Sequence, residues 1–299
     1  MPITDTASPI RVLPGGRTPR QRDRRRRSRP AWGLRVQFVG ELAASDIALV
    51  RADNPGPFTL EGTNTWLVGR DPCWVVDPGP ALEGHLDRVA QDAERRGGAA
   101  GIAITHAHAD HTEGVAGLRA RLGEIPVGAA AWPGATVRLA DGDPLGPFTT
   151  IATPGHAPDH LAFVAGRVLF SGDAVLGHGS VYVAPDPGAL RGYLSALDRL
   201  LALDLDLICP GHGPLVTEPH AKLAEYRDHR LERERKLVAA LDDGARTPDE
   251  LLDRAWSDVP EILRPAAAVT LAAHLDKLAE EGRLPPDVDR DALPRYGGA

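Results

Sequence analysis

The chain has 299 residues, 42% of them hydrophobic and 25% charged, enough for one large domain or two modest ones around a sizeable core. No apolar run reaches the roughly 20 residues that cross a bilayer, and the only two cysteines, Cys73 and Cys209, exclude a disulfide scaffold or an all-cysteine zinc site. The net charge of −7 is unevenly spread: residues 1–35 hold ten arginines against two aspartates, and the remainder holds 24 basic against 39 acidic side chains.

The first segment, with its Arg24–Arg27 run, cannot bury enough apolar surface to fold, so residues 1–35 are expected to be a disordered basic tail. A basic arm for RNA or membrane phosphates is the alternative, but the acidic body weighs against broad nucleic-acid binding. No apolar stretch follows the arginines, so no export signal is expected and the cytoplasm is the expected compartment. Ordered structure is expected from about Val36. Residues 59–69 and 73–77 read as strands joined by a Gly-Arg-Asp-Pro turn, and residues 80–96 as a helix ending at Gly97-Gly98. A strand follows at 101–105, a helix at 112–122, and short strands near 125–131, 136–139, 148–152, 161–164 and 167–171. Residues 186–202 read as a helix and 205–209 as another buried strand. This alternation predicts an α/β layered domain over 36–219. After Pro219 the pattern turns helical, at 220–243, 248–257 and 260–282, with Pro248 at a helix start. A small helical appendage over 220–284 and a tail over 285–299 are expected.

Four of the apolar strands run into polar residues of one kind. GIAIT precedes His106-Ala-His108-Ala-Asp110-His111, FTTIATPG precedes His156, RVLFSG precedes Asp173, and LDLICPG precedes His212. In layered α/β domains functional groups gather beyond the carboxyl ends of strands, so these seven side chains are placed to converge. Imidazole nitrogens and carboxylate oxygens suit zinc. His106 and His108 point the same way in an extended segment and diverge on a helix, so the motif is expected in a loop, with a helix starting at Thr112. The arrangement suits two ions rather than one.

The HxHxDH run, followed by single His, Asp and His residues after glycines, resembles the metallo-β-lactamase superfamily over about residues 40–219. The resemblance implies an αββα sandwich with two zinc ions per chain. His106, His108 and His156 would bind one; Asp110, His111 and His212 the other; and Asp173 would bridge them. A hydroxide shared by the ions would be the nucleophile, with Asp110 also orienting it. Asp77, at the end of CWVV, is either a hydrogen-bond partner of a ligand or a turn cap. The stretches Asn54–Gly69, Thr153–Phe163, Ser171–Ser180 and Ala224–Leu237 resemble the β-lactamase-like protein 2 group, which carries a C-terminal winged-helix-like domain. That group includes a zinc-dependent endoribonuclease on single-stranded RNA, and related members hydrolyse thioesters on carrier proteins. The implied function is therefore a phosphodiesterase or endoribonuclease, with a thioesterase or acyl hydrolase similar to hydroxyacylglutathione hydrolase as the alternative. A non-catalytic metal-binding winged-helix regulator is a third reading, disfavoured by the complete ligand set.

No long insertion separates His156, Asp173 and His212, which sets the chain apart from nucleases that carry an inserted domain there. The last helix carries Asp276, Glu280 and Glu281 against Lys277, so no specific duplex-DNA binding is expected. The appendage is expected to wall the substrate cleft or to form a homodimer contact. His160 reads as a proton donor to a leaving group or as a support for the ligands, and His178 as a substrate-side residue. Tyr226, His229 and Arg230 read as packing residues, with Arg230 alternatively holding a phosphate or carboxylate. His85, His220 and His274 are expected at the surface, and Cys209 as a buried apolar residue.

Overall fold

Two β-sheets face each other at the centre of the α/β part. The computed structural model describes residues 46–290 and Leu293, so the basic segment 1–35 and the expected start near Val36 lie outside the described residues. The first sheet runs in chain order through β1 (Ile47–Arg51), β2 (Asn64–Val68), β3 (Cys73–Val76), β4 (Ala99–Ala103), β5 (Val127–Ala129) and β6 (Val137–Arg138). Its first three strands are antiparallel and the rest add in parallel. The second sheet has β7 (Pro144–Leu145), β8 (Phe148–Ala152), β9 (Leu161–Ala165), β10 (Val168–Gly172) and β11 (Leu207–Pro210), in the order β11-β10-β9-β8-β7. Only the β10–β11 pair in it is parallel.

Strand periodicity assigns the layers. Trp66, Val68, Val76 and Ala103 point between the sheets, where they meet Phe148, Phe163, Phe170 and Cys209. Their neighbours Leu67, Val75 and Ile102 face outward and are covered by α1 (Glu83–Arg95) and α3 (Gly114–Leu122). On the second sheet Leu169 and Ile208 face outward under α4 (Ala189–Leu201) and α5 (Pro219–Asp242). Both faces of the central strands are therefore buried, and β2 and β10 are buried along their whole length for that reason. The result is the expected αββα sandwich.

The expected helix at 112–122 is two elements, α2 (Ala109–Thr112) and α3, so Asp110 and His111 sit on a helical turn rather than in a loop. His106 and His108 do precede it outside any helix, with His108 in extended backbone at the cap (φ −63, ψ 146). The strands β1 and β7 were not expected; the first is an edge strand of mixed burial and the second has two residues. The appendage consists of α5, α6 (Pro248–Ala255) and α7 (Arg264–Glu280), the last preceded by a single 3₁₀ turn at Glu261–Leu263. Thr247 and Glu250 form a capping box at α6, with Pro248 in its first turn. Leu237, Leu251, Leu271 and Leu275 form the appendage's own core, while Ala273 packs into the core beneath the second sheet. Two expected surface residues are buried: His85 lies under β2 and His274 inside α7's packing face. Among the described residues no helix is long and apolar enough to cross a membrane.

Candidate metal centre

The loops after β4, β8, β10 and β11 are pinned to one another by backbone bonds. Leu161 N donates to Thr105 O at 2.7 Å, Gly211 N to Gly172 O at 2.9 Å, and Asn64 N to Gly211 O at 2.7 Å. Close approach is needed here: a Cβ on Gly211 would fall 2.4 Å from Asp173 Oδ1, and Gly172, at φ 47, lies against Thr105 and His160. These loops bring together all seven of His106, His108, Asp110, His111, His156, Asp173 and His212. Three groups of them, His106–His108–His156, His106–His111–Asp173 and Asp110–His111–His212, have donor atoms within 4.8 Å of one another.

Hydrogen bonding fixes which nitrogen each ring presents. Thr105 Oγ1 donates to Asp77 Oδ2 at 2.8 Å, so it accepts from His106 Nδ1 at 3.0 Å, and the His106 Nε2 lone pair faces inward. Asp77 Oδ2 likewise accepts from His111 Nδ1 at 2.9 Å. The carbonyls of Tyr182 and Gly62 lie 3.4 Å from His156 Nδ1 and His212 Nδ1. The inward atoms then crowd: His108 Nδ1 is 2.9 Å from His106 Nε2 and 3.0 Å from His156 Nε2. One proton cannot satisfy three such nitrogens, whereas one cation can. Across the cluster, His212 Nε2 lies 3.3 Å from both Asp110 Oδ2 and Asp173 Oδ2, and His111 Nε2 lies 3.6 Å from Asp173 Oδ1. Both His111 Nε2 and Asp173 Oδ1 are buried without any hydrogen-bond partner. Buried polar atoms are seldom left so, and this donor set fits metal ions.

The electrostatics divide the cluster in two. Burial, with His111 and His160 adding to it, holds His106 well below the usual histidine range, and burial takes His156 down to about 4. These rings stay neutral, as ligands must. Burial opposes charge on His111 and His212 and is the largest single influence, but the carboxylates together outweigh it, Asp173 with Asp77 and Asp110 for the first and Asp173 with Asp110 for the second. His111 is held well above the usual range and His212 at about 9. The carboxylate half of the cluster thus demands positive charge.

The remaining expected residues are placed as follows. Asp77 is buried behind His111 and also accepts from Thr105 N at 2.8 Å. His160 is buried, 2.7 Å from Thr153 Oγ1, and accepts from Asp173 N at 3.0 Å, so both its nitrogens are engaged away from the cleft. His178 is half exposed and pairs with Glu61 at 2.9 Å. Arg230 is buried, donating through Nη2 to Val181 O at 2.5 Å and to Ser180 Oγ, with its guanidinium over the Tyr193 ring. It fastens the loop after Asp173 instead of offering its charge to a ligand. Tyr226 Oη accepts from Leu176 N in the same loop. The Cys209 thiol is buried and pushed well above the usual range, as an inert apolar residue would be. His220 is exposed, and His85, buried, lies 3.0 Å from Thr65 Oγ1 and 3.1 Å from the Pro78 carbonyl, beside Asp77.

Sequence reasoning missed Thr63, whose hydroxyl donates to Asp110 Oδ2 at 2.9 Å and accepts from Asn54 Nδ2 at 3.0 Å. Both lie in the Asn54–Gly69 stretch, but nothing in its composition points to a carboxylate 47 positions away. Tyr182, whose ring lies 4.5 Å from that of His156, was missed as well.

Known proteins match this chain in sequence and in fold. The metallo-beta-lactamase superfamily sequence model matches residues 126–212, which contain His156, Asp173 and His212, and that of the beta-lactamase associated winged helix domain matches 247–286. An atrochrysone carboxyl ACP thioesterase from Aspergillus chevalieri is 36% identical over 72% of this chain and 74% of its own length. A beta-lactamase-like protein 2 homolog from Caenorhabditis elegans is 30% identical over 81% of this chain and 87% of its own. The crystal structure of a beta-lactamase domain protein from Burkholderia ambifaria superposes with a TM-score of 0.71 at 22% identity, covering 85% of this chain and 91% of that one.

Proposed function

Because the chain belongs to the metallo-beta-lactamase superfamily and carries its associated winged helix domain, we propose that it is a dizinc hydrolase of acyl thioesters. The observation that carries the metal reading is the inward set of lone pairs, with His111 Nε2 and Asp173 Oδ1 buried and unpartnered. His106, His108 and His156 would hold one ion, Asp110, His111 and His212 the other, and Asp173 both. Bound there, the ions would supply Lewis acidity, polarising a carbonyl and drawing a water's pKa toward neutrality.

The protein's own groups do the rest. Asp77 and Thr105 fix the tautomers of His111 and His106, as hydrogen-bond partners of ligating imidazoles do. Asp110 is the more open carboxylate of the pair, 26% exposed against 9% for Asp173. Burial works against its charge, but positive charge beside it at His111 and His212, which the bound ions would supply, favours its ionised form. Held by Thr63, its Oδ2 orients the attacking water and takes a proton from it. The water oxygen bonds to the carbonyl carbon, the carbon–sulfur bond breaks, Asp110 passes its proton to the departing sulfur, and the thiol leaves with the carboxylate, whose remaining proton goes to solvent.

The substrate class rests on two supports. The relative that is 36% identical is a thioesterase. The body, with 24 basic against 39 acidic side chains beyond residue 35, repels a polyanion such as single-stranded RNA.

Purified protein is expected to hold close to two zinc ions per chain by elemental analysis. In a panel of an acyl thioester, bis-p-nitrophenyl phosphate and single-stranded RNA, chelator-sensitive turnover is expected for the thioester. Turnover of the RNA alone would replace this reading with the endoribonuclease one. Asp173→Ala is expected to lose metal and activity together, by more than the roughly 100-fold that loss of an outer hydrogen-bond partner costs. Retained activity would remove Asp173 from the shared position.

A further inference from the structure

A large aromatic side chain is held out into solvent beside the metal cluster. Phe58 is 56% exposed, on the loop between β1 and β2. That loop is not slack. Gly56 N donates to Leu60 O, Gly62 N to Thr59 O, and Thr59 Oγ1 to Asn54 O at 2.6 Å. The Asn54 side chain bonds both the backbone and the hydroxyl of Thr63. Leu60 is kept at φ 54, which a side chain with a Cβ adopts only when its surroundings impose it. The same loop delivers Gly62 O to His212 and the Thr63 hydroxyl to Asp110. Phe58 is therefore fixed in register with the metal ligands.

Its ring neighbour among the described residues leads to the same place. Phe58 meets Tyr182 edge-on, centroids 6.5 Å apart, and Tyr182 in turn lies 4.5 Å from the His156 ring. Tyr182 belongs to the loop that Arg230 fastens at Ser180 and Val181 and that Thr270 holds at Val183. Two rings on two braced loops thus form an apolar wall that ends at the ligand cluster. Glu61, three residues further along the same loop, is paired with His178.

We propose that Phe58 and Tyr182 are the binding wall for the apolar acyl part of the substrate. This subsite rests on the acyl-hydrolase reading and sharpens it, since it selects acyl groups of several carbons or an aromatic ring over acetyl. An exposed ring on a rigid loop loses little entropy when a second apolar surface covers it, and each buried methylene adds a roughly constant increment.

The test uses the full-length, metal-loaded protein with N-acetylcysteamine thioesters of acetate, butyrate, hexanoate and benzoate. For the unmodified protein, kcat/KM is expected to rise by up to about fourfold per added methylene. Phe58→Ala, at an exposed position that folding does not depend on, is expected to cut the hexanoyl-to-acetyl ratio at least about fivefold, and Phe58→Tyr to restore it. An unchanged ratio in Phe58→Ala overturns the subsite. Calorimetric titration with hexanoate, the reaction product, separates the two readings. If no thioester turns over, the hydrolase reading falls; weaker hexanoate binding by Phe58→Ala would still establish the wall, and equal binding would remove it.

Discussion

His111 and His274 are both fully buried imidazoles with unpartnered nitrogens, and they mean opposite things. His111 sits among three carboxylates, Asp173, Asp77 and Asp110, which outweigh burial and hold it well above the usual range. His274 sits at the junction of α5, α6 and α7. There, burial comes first and the cations Arg230, Lys277 and Arg233 follow, with His229 also opposing a second positive charge, holding it well below that range. Its ring meets Trp256 edge-on at 5.6 Å. A bare nitrogen therefore points to a metal only where the surrounding field attracts positive charge. At the junction the same atom belongs to a neutral core side chain in a setting that repels a cation. An unsatisfied donor is half of a metal-site argument, and the sign of its neighbours is the other half.

The sharpest way to break this contrast is at Asp77, which helps set the field at His111 and its tautomer together. In Asp77→Asn the amide oxygen still accepts from Thr105 N, so its nitrogen faces Thr105 Oγ1 and His111 Nδ1. The acceptor for the His111 proton is gone, and the ring turns its N–H toward the cluster. Activity and metal affinity are expected to fall about 10- to 100-fold while the fold persists. Elemental analysis, kcat/KM and circular dichroism check this. Full zinc retention at unaltered kcat/KM would mean that Asp77 is only a turn residue.

Much of this contrast could be read in the sequence, and the part that could not has a physical reason. The seven cluster residues announce themselves because each follows an apolar strand and strands deliver their ends to one edge. The layers were legible from the alternation of strands with helices, whereas the facing of Trp66 and Val76 between the sheets and of Leu67 and Val75 outward was not, because all four are apolar. What failed was the single histidine. His85 and His274 looked like surface residues because a lone imidazole in a helix carries no record of what packs on it. The Thr63 hydroxyl was invisible because its partner lies 47 positions away along the chain, and α2 because four residues are too few to show a helical period.

A smaller effect is expected where the appendage touches the site. Arg230, on α5, reaches the loop that carries Tyr182. Arg230→Met leaves the Val181 carbonyl without its charged donor, which is expected to cost about 2 kcal/mol of stability. With Tyr182 less firmly seated against His156, kcat/KM is expected to drop about tenfold, mostly through KM. Arg230→Lys can reach one acceptor but not both, so it is expected to fall between the two. Melting temperature and Michaelis kinetics decide it. If Arg230→Met matches the parent in both, the appendage does not brace the cleft.

The finest test returns to His274. Its folded-state pKa lies below the unfolded value near 6.5, so as pH falls through 6.5 the unfolded chain takes up a proton that the folded one refuses. Stability from this ring is complete above pH 6.5 and is lost below it, by up to about 1.4 kcal/mol per pH unit. His274→Leu removes the titration and both unpartnered nitrogens without removing the apolar contact with Trp256. The variant is expected to match or exceed the parent at pH 7.5 and to lose less stability between pH 6.5 and 5.5. Denaturant unfolding of the two metal-loaded proteins at those three values isolates the effect, because the metal ligands and His229 titrate alike in both. Parallel profiles would mean that the folded protein accepts the proton at His274. In that case the cations of the junction do not set its charge, and the contrast with His111 fails.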